Sequence, residues 1–480
     1  MKKGIDLSQD AKLNIGEKLA YSFGGAFGNG VLNVFTTTFI LIFYTEIMHV
    51  NVGLAAGVIG VSKVFDGVSD LIIGKIIDNT HHKMGKTRIW LLRIIPFSVL
   101  SLFAIILMPF NMPTAIQVIY MFITYNMAST VCYTFVYVAF MSLNGLITRH
   151  QGSRGSLGGL TMIGNVIISL ISNATIITLL NLLSKNKDYS AYGDRQGWVI
   201  LVGIYCVVYV ISELILVFFT HERVEENVDT NESENHEKKK NVPALVTVKA
   251  LVTNKYWIIN IIVCISIFFL MGASGSTASY FMTYVLEDVN FYQVYSSINS
   301  LCMLAALLIG FPLFHKLGKR NAVIVGLMIR LIGSVIPLLG IAKPIILAGG
   351  VLNGLGYGIA GCAFASVIQD ALTYGEWKNG FGMIGMGNAA NSFSSKIGQS
   401  LGTIFLGWIM NFTGFVSGAA VQISSAVNGL FVMHVWVPAV FTLIGLVAIC
   451  FYDLDKIYPS IVADLKEGKY APGVKSYIEK

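Results

Sequence analysis

The sequence predicts an all-α membrane protein of twelve transmembrane helices in two bundles of six. Three observations lead there. Of the 480 residues, 55% are hydrophobic and only 12% are charged, and the mean hydropathy is +0.69, which lies outside the range of soluble domains. Apolar runs near or above the ~20 residues that cross a bilayer as a helix recur from end to end. One long polar stretch, HERVEENVDTNESENHEKKKNVP, divides those runs into two equal groups and reads as a flexible linker.

The first eighteen residues, MKKGIDLSQDAKLNIGEK, are polar and lack the apolar core of a cleavable signal peptide, so the first span is expected to be its own targeting signal. The spans of the first half are read over 20–44, 53–77, 89–109, 114–142, 157–182 and 197–220. Those of the second half are read over 257–286, 294–315, 321–341, 344–372, 383–411 and 430–452. The domains expected are an N-terminal bundle over 1–220, a cytoplasmic linker over 221–256, a C-terminal bundle over 257–452 and a cytoplasmic tail over 453–480.

Charge gives the orientation. The connections after even-numbered spans carry Lys75, Lys83, Lys86, Arg88 and Arg93, then Arg149 and Arg154, then Lys316, Lys319 and Arg320. The opposite connections carry only Lys185, Lys187, Arg195 and Lys343. The bias places both termini in the cytoplasm of a cell membrane. The net charge of +7 is therefore a topology signal, and no nucleic-acid partner is expected. The six cysteines lie inside apolar runs without a CxxC pair, which argues against disulfides or a metal cluster.

The two halves echo each other. Met84-Gly85-Lys86-Thr87-Arg88 follows the second span, and Leu317-Gly318-Lys319-Arg320 follows the eighth. Corresponding turns are what a duplicated transporter fold produces, and such repeats frame a central site. Glycines cluster in the first, tenth and eleventh spans, at Gly24, Gly25, Gly28 and Gly30, at Gly350, Gly354, Gly356 and Gly358, and at Gly380, Gly382, Gly385 and Gly387. Small residues let membrane helices approach closely or pivot.

The chemistry centres on KVFDGVSDLIIGKIID in the second span. Four-residue spacing puts Asp66 and Asp70 on one helix face, one turn apart, with Lys63 one turn earlier. A carboxylate at mid-membrane costs roughly 3 kcal/mol, so two such groups point to a cation site. A proton or a small hard cation such as sodium relieves their repulsion, and oxygen ligands suit either. The bland alternative is a structural ion pair of Lys63 with one aspartate. Ser69, between the aspartates, and Thr134, in the fourth span, could add neutral oxygens, although hydroxyls in membrane helices often bond their own backbone. Lys396, deep in NAANSFSSKIGQSLGTIF, needs an anion, and Asp66 and Asp70 are the mid-membrane candidates; snorkelling is the alternative. Tyr21, Phe27, Tyr133, Tyr137, Tyr280 and Tyr284 suit sugar stacking, and equally a membrane belt.

The runs EKLAYSFGGAFGN, FDGVSDLIIGKIIDNT with GKTRIW, DALTYGEWKNG with SSKIGQSLGT, and YDLDKIYPSIVADL resemble the glycoside-pentoside-hexuronide:cation symporters, the melibiose permease family within the major facilitator superfamily. The resemblance spans essentially the whole chain. It implies the major facilitator fold and sodium-, lithium- or proton-driven uptake of a sugar by alternating access. It places Asp66 and Asp70 at the cation-binding aspartates, Ser69 and Thr134 at supporting polar positions, and Lys396 at the eleventh-helix lysine; Lys396 and Lys63 are the expected coupling residues. The sugar half departs from the pattern. Asn29-Gly30 stands where relatives have a first-helix aspartate, Tyr137 at the fourth-helix sugar aspartate, an uncharged position near Met162 at the fifth-helix arginine, and GFGMIG where an arginine and a glutamate often follow YGEWK. Asn29, Tyr133, Tyr137 and Tyr284 are the substrate-site candidates.

The leading expectation is a cation-coupled sugar symporter, with no cofactor beyond the coupling ion, no obligatory protein partner and membrane lipid around it. A non-sugar amphipathic solute such as a lysolipid is an alternative cargo, and a transport-dead sensor keeps the same fold. An intramembrane aspartyl hydrolase needs two carboxylates flanking a scissile bond from separate helices. Both aspartates here lie on one helix, which argues against an enzyme. No GxxxxGK[ST] sequence is present for an ATP-driven pump.

Overall fold

The computed structural model describes residue 8 and residues 11–148, 150–186, 190–223, 244–419 and 421–472. Twelve long helical elements account for most of them, with no strand among the described residues. In chain order these are α1 (Ile15–Ile47), α2 (Val52–Asp78), α3 (Arg88–Ile106), α4 (Thr114–Ile147), α5 (Gln151–Leu183), α6 (Arg195–Phe219), α7 (Lys255–Tyr284), α8 (Val289–Leu317), α9 (Lys319–Leu339), α10 (Lys343–Asn379), α11 (Ile384–Phe412) and α12 (Ser424–Lys456). Of the expected linker, residues 224–243 lie outside those described, and Ala244–Val252 forms a short helix; of the expected tail, 473–480 lie outside.

Ten of these elements are long and apolar enough to cross a membrane unaided, and α2 makes an eleventh as a bent pair, Val52–Gly67 and Ile72–Asp78, at 42°. The twelfth, α11, falls short because NAANSFSSKIGQS occupies its first half. Such polarity in a spanning helix belongs on a protein-facing or water-facing side.

Local chemistry sets the helix ends. Asn51 caps α2 by accepting from the N–H groups of Gly53 and Leu54 at 2.9 and 3.2 Å. Asp194 caps α6 through the N–H of Gly197 at 2.8 Å. Gly380, at φ 75°, closes α10 in the left-handed conformation that glycine adopts without strain.

The chain forms two compact units. The first holds Met1–Glu226, Gly272–Ser300 and Ser400–Met433, so it joins α1–α6 to one end each of α7, α8 and α11 and the start of α12. The second holds Asn227–Met271, Leu301–Gln399 and His434–Lys480. These units cut across the division at the linker.

In the first unit α1 packs on α5 and α6. A Cβ at Gly24 would lie 3.1 Å from the carbonyl of Ser212, and one at Gly164 would lie 2.7 Å from the Ala26 side chain. Tyr21 stacks on Phe140 at 4.7 Å and donates to its carbonyl at 3.0 Å, tying α1 to α4. Glu17 and Arg223 form a buried two-pronged ion pair at 2.7 and 2.8 Å, which fixes the start of α1 against the chain leaving α6.

The second unit is built on α9 against α10. A Cβ at Gly326 would lie 2.5 Å from the backbone nitrogen of Ala360, and one at Gly356 would lie 2.5 Å from that of Arg330. No side chain fits there, so the backbones touch. The α10 glycine cluster is thus, at Gly356, a packing seam.

The sequence echo has a structural counterpart. In the first unit Arg88 donates from Nε and Nη2 to the Val217 carbonyl near the end of α6, and the Glu222 carboxylate accepts from the N–H groups of Lys86, Thr87 and Arg88. In the second unit Arg320 donates to the Ile449 and Cys450 carbonyls of α12, and the Asp455 carboxylate accepts from the Arg320 N–H at 2.9 Å. Gly85 and Gly318 precede these helix starts at φ 100° and 81°.

Candidate functional site

Asp66 and Asp70 lie at the bend of α2. The straight part Val52–Gly67 ends beside Asp66, and the second part begins at Ile72. Gly67 offers no Cβ there, and Ser69 Oγ donates back to the Asp66 carbonyl at 3.0 Å. A hydroxyl bonded to its own helix in this way favours bending. Both aspartates are partly exposed, whereas Lys63, one turn before Asp66, is buried and within range of its charge.

α4 faces this bend with an unusual stretch. Residues Asn126–Tyr133 are wound as a π-helix, a form frequent at functional sites, and shorter π segments also occur within α1 and α12. Thr130 Oγ1 reaches Asp66 Oδ1 and lies 2.8 Å from Asn126 Oδ1. Asn126 Nδ2 in turn donates to Ser62 Oγ at 2.7 Å and to the Phe122 carbonyl at 2.7 Å. With its one proton given to Asp66, the Thr130 hydroxyl lies in a polar cluster with Asn126 of α4 and Ser62 of α2. It holds one carboxylate in a fixed orientation.

Thr134 is buried four residues beyond Thr130, at the first α-helical position after the π turn. Sequence reasoning missed Ser62, Asn126 and Thr130. The available signal was the i, i+4 series Asn126, Thr130 and Thr134 on one face of an apolar span.

The aromatic candidates divide. Tyr133 and Tyr137 stack at 5.8 Å with an interplanar angle of 23°, and both feel the charge of Asp70. Tyr133 Oη accepts from Asn33 Nδ2 of α1 at 3.1 Å, while Tyr137 is 41% exposed. Asn29 is buried on α1; its Nδ2 donates to the Gly25 carbonyl at 2.9 Å, and its Oδ1 has no hydrogen-bond partner among the described residues. Tyr284 is placed elsewhere, at the end of α7, where its hydroxyl donates to Glu46 at 2.5 Å. Lys396 lies partly buried on α11, in the second unit.

Among the described residues no three His, Cys, Asp or Glu side chains gather as a metal cluster. Two carboxylates with hydroxyl oxygens nearby form a donor set for a proton or a monovalent hard cation.

The comparisons agree with the fold. Residues 21–456 match the family described as MFS/sugar transport protein. The isoprimeverose transporter of Lactiplantibacillus pentosus is 27% identical over 456 residues, 94% of this chain and 91% of that one. The glucuronide carrier protein homolog of Escherichia coli (strain K12) is 23% identical over 460 residues, 94% of this chain and 95% of that one. The solved structure of a D-xylose-proton symporter superposes with a TM-score of 0.63 at 13% identity, covering 95% of this chain and 99% of that one. At that identity the likeness speaks for the fold.

Proposed function

The chain belongs to the MFS/sugar transport protein family, and from that premise we propose that it is a cell-membrane symporter coupling entry of a sodium ion or a proton to uptake of a sugar. Glycosides, pentosides and hexuronides are the classes to which its relatives point. The family is one of multi-pass transporters, so the hydrolase reading of the aspartates falls away.

The observation that carries the reading is the adjacency, within one unit, of an acidic pair and an aromatic pair: Asp66 and Asp70 at the bend of α2, Tyr133 and Tyr137 on α4 within reach of the Asp70 charge. In this reading Asp66 and Asp70 hold the cation, with Ser69, Thr130 and Thr134 as the neutral oxygens around them. Thr130 keeps Asp66 aimed. Tyr137 offers its face to the apolar side of a sugar ring, while Tyr133, Asn33 and Asn29 offer hydrogen-bonding groups. An empty cation site leaves two carboxylates beside the rings, and one bound cation or proton cancels one of their charges, so ion binding improves the sugar site and the reverse. Lys63 supplies a positive charge one turn away when the ion has left. Lys396 is assigned a coupling role on the second unit.

The excess of Lys and Arg in the connections after even-numbered spans supports a reading with both termini in the cytoplasm. A membrane potential then contributes about 2.3 kcal/mol per charge per 100 mV, roughly fiftyfold accumulation for one co-ion.

The test is uptake of labelled glycosides, pentosides and hexuronides into proteoliposomes, with and without an imposed sodium or proton gradient, for the native protein and Asp66→Asn. Gradient-driven accumulation of one compound, lost in the variant, is the expected result. Cation binding that depends on Asp66 with no sugar moved would remove the sugar and turn the search to amphipathic solutes such as lysolipids.

A further inference from the structure

The first unit contains a second acidic centre that the cation site does not use. Glu46 closes α1 and is 2% exposed. Its Oε2 accepts from Tyr284 Oη at 2.5 Å, and its Oε1 has no hydrogen-bond partner among the described residues. The neighbouring Thr45 meets Tyr280 Oη at 2.5 Å, one turn before Tyr284 on α7. Phe415, beyond α11, packs edge-on against both tyrosine rings at 5.5 and 5.4 Å. Tyr192, from the α5–α6 connection, joins Ser279 and Thr283 of α7 at 2.9 and 2.6 Å. Alongside, Asn51 donates to Asn411 at 2.9 Å and Ser400 to the Gly60 carbonyl at 2.6 Å.

These contacts join helix ends from the first half of the sequence to helix ends from the second, at the end of the unit away from the basic 79–87 connection. They form a seal. The groups facing Glu46 are Thr45 on its own helix, Tyr280 and Tyr284 on α7, and Tyr192 from the α5–α6 connection. His49, three residues on, packs against Gly418.

A carboxylate shut away behind hydroxyls, with one oxygen unbonded, carries a desolvation cost that the Tyr284 hydroxyl offsets only in part. As the neutral acid it does not. We infer that Glu46 is a proton-binding site of the seal: it takes up one proton from outer water as the seal closes and returns it when α7 parts from α1 and water reaches the carboxyl. This rests on the transport reading, because only alternating access requires that end to open. The bond made and broken is the carboxyl O–H, water is donor and acceptor, and no other reactant is needed. Protons would then favour the state closed on this side whichever cation Asp66 and Asp70 carry.

The test needs no substrate. Spin labels at two exposed sites of the first unit, Phe110 and Val421, in a background with the six native cysteines replaced, report the width of this end in nanodiscs by electron–electron distance measurement. The expected result is a short distance at pH 5.5, giving way to a longer one by pH 8.5, with the closed-to-open ratio changing about tenfold per pH unit at the midpoint. Glu46→Gln should stay short at both pH values. Tyr284→Phe, which removes the hydroxyl but keeps the ring, should shift the midpoint. A native protein with the same distances at both pH values, or Glu46→Gln that still follows pH, overturns the proposal. If no sugar accumulates in liposomes yet the distances follow pH through Glu46, the sugar reading fails and this one stands.

Discussion

Thr130 donates its hydroxyl to Asp66, joining the π-helical turn of α4 to the bend of α2. A hydrogen bond to a charged group is worth about 1.5–3 kcal/mol. Thr130→Val should therefore weaken cation binding roughly tenfold or more, while Thr130→Ser largely preserves it. Calorimetric titration with sodium, or proton release on binding, measures this. Thr134→Val is the control. If it costs as much as Thr130→Val, both hydroxyls act at the ion.

Arg88 and Arg320 occupy equivalent places in the two halves, but their carboxylate partners differ in reach. Glu222 collects three backbone N–H groups and the Thr87 hydroxyl, whereas Asp455 receives the Arg320 N–H. Glu222→Gln should lower stability by about 1–2 kcal/mol and Asp455→Asn by less, read as thermal melting in detergent. Gly85→Ala should be worse than Gly318→Ala, since its Cβ would fall 2.2 Å from the Glu222 carboxyl carbon.

The same pair of turns marks how far the sequence could be read. The twelve helices and the echo of Gly85-Lys86-Thr87-Arg88 in Gly318-Lys319-Arg320 follow from hydropathy and local spelling. The partners do not: Glu222 lies 134 residues from Arg88, and no local pattern pairs them. At the candidate site Thr134 stood out as a fourth-span hydroxyl, but the π-helical stretch before it brings Thr130 to Asp66. Tyr284 reads as one more aromatic in an apolar run. Its role at the seal emerges only from Glu46, which comes from the other half of the chain.

Gly356 and Gly326 press the α9 and α10 backbones together in the second unit. Gly356→Ala must separate them and should cost about 1–3 kcal/mol by overpacking. Gly74→Ala on α2, where nothing stands within 4 Å of the added carbon, should change melting little.

Asp194 lies outside the spans and gives a pH signature. Burial pushes its carboxyl up, but the N–H groups of Asn186, Gly197 and Lys185 and the Ser184 hydroxyl outweigh that and hold it below the ordinary aspartate value. A depressed folded value means stability that is present above the unfolded pKa of about 3.9 and lost as pH falls through the folded one. Asp194→Asn should cost about 0.5–2 kcal/mol near neutral pH. The gap to the native protein should close below about pH 4, followed by melting from pH 3 to 7.

Substitutions at Tyr133 and Tyr137 test whether the sugar and ion sites are distinct. Tyr137 is partly exposed with one ring face on Tyr133, and Tyr133 meets α1 through Asn33. Tyr137→Ala removes a stacking surface worth about 0.5–1.5 kcal/mol, so the sugar KM should rise up to about tenfold. Tyr133→Phe, which keeps the ring, should have a smaller effect on sugar. Neither change touches an oxygen of the proposed cation site, so cation affinity measured without sugar should stay within about twofold, while the gain in cation affinity on adding sugar shrinks in both variants. A parallel loss of cation affinity in the absence of sugar would assign the two rings to the ion instead, because Asp70 is the charge they both feel.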